Sequence, residues 1–92
     1  MNEQTKEILI ILQEECAEVI VEVSKCFRFG PDQMMEGTNL TNIQRLEKEL
    51  GDLQAMIQLL VKQKVGVSQD GMNSAKAQKF EKLKIYSSIK FK

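Results

Sequence analysis

Histidine is absent from the sequence. Its absence removes the commonest general base, the usual nitrogen ligand of zinc, and the Glu-x-x-His pairs of di-iron helical bundles. Any metal in this chain must therefore be held by oxygen atoms. Oxygen ligands favour magnesium or manganese, and we expect Mg²⁺, with Mn²⁺ as the substitute.

Net charge is also lacking, because 13 Lys and Arg balance 13 Asp and Glu. Without an overall field the chain does not attract nucleic acid or an anionic membrane surface, and we expect neither as a partner. The charges are unevenly distributed, since residues 1–22 are acidic and residues 76–92 are rich in lysine. The basic segment could fold against the acidic one, lie near an anionic substrate, or bind RNA.

Long apolar runs are missing as well. The longest, Ile8 to Leu12, is far shorter than the roughly 20 residues that cross a bilayer, and the N-terminus lacks the basic segment of a secretory signal. We therefore predict a cytoplasmic protein. Cys16 and Cys26 lie about 15 Å apart on one predicted helix, beyond disulfide reach, and are predicted to be buried reduced thiols.

The chain of 92 residues is predicted to form a single domain, residues 1–92. At this size folding buries only about two-thirds of the surface that the unfolded chain exposes, so the core is thin. Small helical proteins often recover the missing burial by pairing with a copy of themselves. We therefore expect a homo-oligomer, and its active site could be shared between subunits.

Two segments show helical periodicity. The first helix is predicted over residues 4–29 and is stopped by Gly30-Pro31. The second is predicted to start at Thr41, which forms a capping box with Gln44, and to end near residues 65–66. Their apolar stripes are Ile8, Leu12, Cys16, Val19, Ile20, Val23 and Cys26 on the first helix, and Leu46, Leu50, Leu53, Met56, Ile57, Leu60 and Val61 on the second.

Residues 30–40 and 66–73 have no periodicity and are predicted to be loops. The first loop is long enough to have a function of its own. A third helix is predicted from Ser74 to the end of the chain, with a weaker stripe of Phe80, Leu83, Tyr86 and Ile89. The predicted fold is all-α: an antiparallel helical hairpin followed by a C-terminal helix.

Carboxylates occupy unusual positions on both helices of the hairpin. Glu15 and Glu18 border the apolar stripe of the first helix, and Glu49 lies on the apolar face of the second with Asp52 three residues later. A single such pair is common on a solvated helix face. Two pairs that face each other across a hairpin are better explained by a shared cation, so these four residues are the predicted ligands of Mg²⁺.

Basic residues near these carboxylates have two interpretations each. Lys25 lies two turns beyond Glu18, where it could hold a polyphosphate, but it could equally pair with Glu22. Arg28 follows at the end of the helix, where a cation also complements the helix dipole.

Two residues of the second helix are open to the same question. Arg45 is most simply an ion-pair partner of Glu49, and that pairing would compete with a metal. Asn42 is either a capping residue or a polar contact to a base or ribose.

The stretches Glu14-Glu15-Cys16-Ala17-Glu18 and Glu49-Leu50-Gly51-Asp52 resemble the E-E-x-x-E and E-x-x-D motifs of the MazG-like all-alpha NTP pyrophosphatases. The resemblance covers residues 8–62 and is closest to short phage and bacterial members. It implies magnesium-dependent hydrolysis of nucleoside triphosphates to a monophosphate and pyrophosphate, with catalytic residues Glu14, Glu15, Glu18, Glu49 and Asp52. Glu14 would be secondary, orienting water or a ligand.

The same resemblance implies a homodimer or homotetramer in which two hairpins form a four-helix bundle. Lys25, Arg28 and Asn42 become the predicted substrate-binding residues. The loop over residues 30–40 is longer than in compact members, and the aromatic residues are scattered, so no base preference is predicted. The alternative is a non-catalytic helical dimer, an adaptor or nucleotide-binding regulator whose glutamates pair with the basic C-terminal third.

Overall fold

The computed structural model describes residues 1–91 and contains the helices α1 (Glu3–Phe29), α2 (Asn42–Lys62) and α3 (Gln69–Tyr86). α1 and α2 run antiparallel and pack against each other as a hairpin. The predicted all-α class and the predicted hairpin are confirmed. No helix within residues 1–91 combines the length and apolar character needed to cross a bilayer.

Local signals set the ends of the hairpin helices. Asn2 caps α1, where its Oδ1 accepts a hydrogen bond of 2.7 Å from the Thr5 amide. α1 ends where Gly30 adopts a positive φ of 94°, a conformation that favours glycine. The predicted capping box of Thr41 and Gln44 is present at the start of α2. α2 ends at Lys62, about one turn before the predicted end.

The face of α1 that meets α2 follows a spacing of three and four residues. Its members are Thr5, Ile8, Leu12, Glu15, Val19, Glu22 and Cys26. The predicted stripe was wrong at Cys16, Ile20 and Val23, which are all exposed. The predicted stripe is rotated about the helix axis relative to the observed interface, because the observed interface contains the two glutamates Glu15 and Glu22. The prediction of a buried Cys16 thiol was wrong for the same reason.

Most of the fully buried side chains among residues 1–91 are polar. Ile8 and Leu60 are the only hydrophobic side chains that are buried within residues 1–91. Thr5 is also buried, and its hydroxyl donates a hydrogen bond of 3.0 Å to Gln63 Oε1 across the hairpin. The other buried polar side chains are Glu22, Asn42 and Glu49. The hydrophobic effect therefore stabilises this chain weakly, as its length suggested.

α3 begins earlier than predicted, because Ser68 caps it by accepting from the Gly71 amide, so the predicted loop was wrong from residue 69 onward. The helix ends at Tyr86, and the predicted helix was wrong for residues 87–91, while Lys92 lies outside the described residues. None of its side chains is buried. The radius of gyration is 16.1 Å, against about 12 Å for a compact chain of this length. α3 is thus only loosely attached to the hairpin.

Candidate metal centre

Three carboxylates from the two hairpin helices meet near the middle of the interface. Glu15 of α1 and Glu49 and Asp52 of α2 each offer an oxygen atom, and these oxygens lie within 4.8 Å of one another. Glu49 is only 5% exposed, and Glu15 and Asp52 are half-buried. We call these residues the acidic group. The three-residue spacing of Glu49 and Asp52 brings both to one face of α2, as predicted.

The electrostatics of the acidic group disfavour three full negative charges. Burial, then hydrogen bonding with Glu49, and then the charges of Glu49 and Asp52 raise the pKa of Glu15. Glu15 Oε2 is buried and has no hydrogen-bond partner among residues 1–91. An unpartnered buried carboxylate oxygen is costly, so the group favours either a proton or a cation.

Two basic side chains of α2 already lie beside the acidic group. Lys48 Nζ lies 3.1 Å from Asp52 Oδ2, and this hydrogen bond, followed by the charges of Asp52 and Glu49, raises the pKa of Lys48. Arg45 Nη2 lies 3.8 Å from Glu49 Oε1, which is the ion pair that the sequence suggested as a competitor for metal. Lys48 is well exposed, whereas Arg45 is largely enclosed.

A second buried carboxylate lies one heptad along α1. Glu22 is 1% exposed, and its Oε1 lies 3.5 Å from Lys25 Nζ and 3.9 Å from Arg45 Nη2. Neither Glu22 Oε2 nor Arg45 Nε has a hydrogen-bond partner among the described side chains and backbone. Arg45 therefore lies between Glu22 and Glu49 and shares its charge between them.

Two of the predicted catalytic glutamates stand outside the acidic group. Glu14 and Glu18 are exposed, and neither contributes an oxygen to it. Glu18 lies one turn beyond Glu15 but is rotated out of the interface, since the buried position is taken by Val19 and then by Glu22. The structure thus brings together three of the four predicted magnesium ligands.

The predicted substrate-binding residues lie toward the loop end of the hairpin. Lys25 pairs with Glu22, which was one of its two interpretations. Asn42 is not the cap of α2; it is buried, and its side-chain amide donates a hydrogen bond of 2.9 Å to the Gly30 carbonyl. Arg28 is exposed, and its guanidinium carbon lies 4.9 Å from the centroid of the Phe29 ring.

Sequence reasoning missed the pairing of Glu22 with Arg45 across the hairpin. The signal was available, because Glu22 follows Glu15 by one heptad and Arg45 precedes Glu49 by one turn. A buried glutamate on one helix of a hairpin requires a cation nearby, and Arg45 is the basic residue of α2 at that level.

The acidic group suits Mg²⁺ in chemistry and in size. Magnesium prefers carboxylate and water oxygens at about 2.0–2.1 Å in octahedral geometry, so neighbouring ligand oxygens lie about 2.9 Å apart and opposite ones about 4.1 Å apart. The carboxylate oxygens here lie within 4.8 Å of one another. Side-chain shifts of about 1 Å would therefore bring them to coordination distance.

Comparisons of the chain with protein-family models, with curated proteins and with solved structures find no match. The likeness to the MazG-like enzymes therefore stays a prediction carried by two short motifs. What the chain does is inferred from the chemistry of its own side chains.

Proposed function

We propose that this protein is a magnesium-dependent nucleoside triphosphate pyrophosphohydrolase whose metal site is the acidic group. The observation that supports this most is the meeting of Glu15, Glu49 and Asp52, with oxygens within 4.8 Å. Glu15 Oε2 is buried without a hydrogen-bond partner among residues 1–91, and the pKa of Glu15 is raised by burial and by its acidic neighbours, so a bound cation would stabilise the group.

The proposed reaction needs little covalent chemistry from the protein. Water attacks the α-phosphorus, the bond to the bridging oxygen breaks, and pyrophosphate leaves with the electron pair of that bond. Magnesium, when bound, neutralises charge on the phosphate oxygens and acidifies a water molecule. The carboxylates hold the ion and accept the proton of the attacking water, and exposed Glu18 remains the predicted fourth ligand. Glu14 is the predicted secondary residue.

The surface of the hairpin supports the proposed homo-oligomer. Ile10, Ile20 and Val21 of α1 lie outside its contact with α2 and are 58%, 70% and 42% exposed. Leu50 and Ile43 are exposed on α2. A monomer with two buried hydrophobic side chains and so much exposed apolar surface would be poorly stable, whereas pairing two hairpins into a four-helix bundle would cover it.

The alternative is a non-catalytic dimer that acts as an adaptor or a nucleotide-binding regulator. It is favoured by the positions of Arg45 and Lys48, which already supply positive charge beside Glu49 and Asp52. In that function the ion pairs are structural and no divalent ion is needed.

Pyrophosphate release separates the two functions. The purified chain is incubated with a panel of deoxy- and ribonucleoside triphosphates, in Mg²⁺ and in chelator, and both pyrophosphate and monophosphate are measured. The proposal expects equal amounts of the two products, only with Mg²⁺. Glu49→Gln should lower the rate by more than about 100-fold, since it removes a direct ligand rather than an outer one.

Glu47→Gln is the matched control, because Glu47 is an exposed glutamate of the same helix outside the acidic group. Its rate should equal that of the wild type. If no triphosphate is cleaved, while Mg²⁺ leaves the melting temperature unchanged, the adaptor function is the better account.

A further inference from the structure

A cavity of about 290 Å³ lies at the loop end of the hairpin, beyond the acidic group. The end of α1, the loop and the start of α2 line it, with Lys25 and Asn42 among the lining residues. Sites for drug-sized molecules occupy roughly 300–1,000 Å³. This cavity is therefore large enough for one ring system but too small for a whole nucleoside triphosphate.

The walls of the cavity are held in place by backbone hydrogen bonds. The first amides of α2, at Asn42 and Ile43, donate to the carbonyls of Gln33 and Pro31 at 3.0 and 2.9 Å. The Asn42 side-chain amide also donates a hydrogen bond to the Gly30 carbonyl. The loop is thus fixed to the helix that carries Glu49, and the cavity is pre-formed.

The lining has an apolar part and a polar part. Phe29, Met34 and Met35 supply the apolar part. The Arg28 guanidinium lies over one face of the Phe29 ring, so a base would stack on the other face. Gln33 and Glu36 supply an amide and a carboxylate to the polar part. A planar ring with hydrogen-bonding groups on its rim matches both parts.

The distance from the acidic group to the cavity fits a nucleotide. Asn42 precedes Glu49 by two turns of α2, or about 10 Å along the axis. Lys25 lies in the cavity wall and Arg45 lies between the two places. A phosphate chain anchored at the acidic group and directed along the hairpin would pass these two cations before its sugar and base reach the cavity.

We propose that this cavity binds the nucleobase of the substrate, with the base stacked on Phe29 and its edge hydrogen-bonded by Gln33 and Glu36. The proposal rests on the proposed function for the choice of a nucleotide, but it concerns different residues and can fail separately. It also assigns a role to the loop over residues 30–40, whose length the hairpin does not require.

Binding measurements on products test this directly. Titration calorimetry in Mg²⁺ compares AMP, CMP, GMP and UMP with ribose 5-phosphate, which has the sugar and phosphate but no base. At least one monophosphate should bind more tightly than ribose 5-phosphate. Phe29→Ala should raise the Kd of that monophosphate by about tenfold or more, as expected for the loss of one stacking contact. It should change the Kd of ribose 5-phosphate and of pyrophosphate by less than about twofold.

The control variants separate stacking from folding. Phe27→Ala removes an aromatic ring that is 87% exposed, two residues away and outside the cavity, and should bind like the wild type. Phe29→Tyr keeps the ring and should also bind like the wild type. If Phe29→Ala does not fold, Met34→Ala is the second test, because Met34 is an exposed loop residue that also lines the cavity. It should lower the affinity for the same monophosphate selectively.

Three results would overturn the cavity as a base site. The first is equal affinity of the wild type for ribose 5-phosphate and every monophosphate. The second is the same monophosphate Kd for Phe29→Ala and Phe27→Ala. The third is an equal loss of affinity of Phe29→Ala for monophosphate and pyrophosphate. Triphosphate cleavage that persists in any of these cases leaves the proposed function standing. Selective monophosphate binding without triphosphate cleavage supports the cavity as a base site and contradicts the proposed pyrophosphohydrolase activity.

Discussion

Arg45 Nη2 lies 3.8 Å from Glu49 Oε1, one turn away on α2. The same guanidinium lies 3.9 Å from Glu22 on α1. Both distances exceed those of close charge-assisted hydrogen bonds, so Arg45 is committed to neither carboxylate. It is a counter-ion that can serve Glu22 alone once another cation holds Glu49.

Replacing Arg45 should therefore tighten magnesium binding. Arg45→Met removes a positive charge close to Glu49. One charge at about 4 Å amounts to about 1 kcal/mol even in bulk water, so the Kd for Mg²⁺ should fall by roughly fivefold or more. Calorimetric titration of the metal-free protein measures it. Arg28→Met is the control, since Arg28 is exposed and stacks on Phe29 instead. Weaker binding in Arg45→Met would instead mean that Arg45 orients Glu49 for the ion.

The same substitution should destabilise the metal-free fold, because it leaves Glu22 buried with Lys25 alone. The expected loss in the free energy of unfolding is about 3 kcal/mol. The double variant Glu22→Met/Arg45→Met should recover most of it, as an apolar pair can replace a buried ion pair. Urea denaturation measures both. Lys84→Met, which breaks the exposed pair with Glu81, should change stability by less than about 1 kcal/mol.

Metal-free stability should depend on pH through Glu15. Its pKa is raised in the folded state, first by burial and then by Glu49 and Asp52, so the native protein keeps a proton that the unfolded chain releases. This component of stability is full below the ordinary glutamate pKa of about 4.3 and is lost as pH rises through the raised value.

The comparison between wild type and Glu15→Gln isolates that component. In chelator, the melting temperature of Glu15→Gln should exceed that of the wild type increasingly as pH rises from about 4 to 7, and Mg²⁺ should narrow the gap by stabilising the wild type only. Glu14→Gln, at an exposed neighbouring position, should follow the wild type at every pH. Parallel curves for Glu15→Gln and wild type would contradict a raised pKa for Glu15.

Oligomerisation should depend on the exposed apolar side chains of α1. Ile20 is 70% exposed, and Ile20→Lys should raise the dissociation constant of the oligomer by at least about tenfold, because burying a lysine there is unfavourable. Analytical ultracentrifugation over a dilution series measures it. Ile85→Lys, at a similarly exposed site on α3, should leave the oligomer intact. A wild-type chain that is monomeric at every concentration would exclude the four-helix bundle.

Much of the hairpin could be predicted because its signals are local. The Asn2 cap was not among the predictions, but the stop at Gly30 and the capping box at Thr41 each depend on a few adjacent residues, and both proved correct. α3 was harder. Its start depends on a single Ser68 cap, and its apolar residues are not gathered on one face, so periodicity could not locate it.

The candidate site was predictable only in part, for a different reason. The spacing of Glu49 and Asp52 defines a face of α2 without reference to any other element. On α1, the choice between Glu18 and Glu22 for the interior depends on how the helix is rotated against its partner. Hydrophobicity favoured the wrong rotation, because Cys16 and Ile20 are more apolar than Glu15 and Glu22, which lie inside. Periodicity could not predict the cavity, because loop residues form most of its lining.

The polar side chains inside the hairpin also determine how its two helices are aligned. An interface of leucines alone would tolerate sliding by one heptad, since every layer would be equivalent. Here the Thr5–Gln63 hydrogen bond marks one end and the Glu22–Arg45 pair marks the other. Sliding would break both at once and leave Glu22 buried without Arg45. The residues that weaken the core thus give the hairpin a single register.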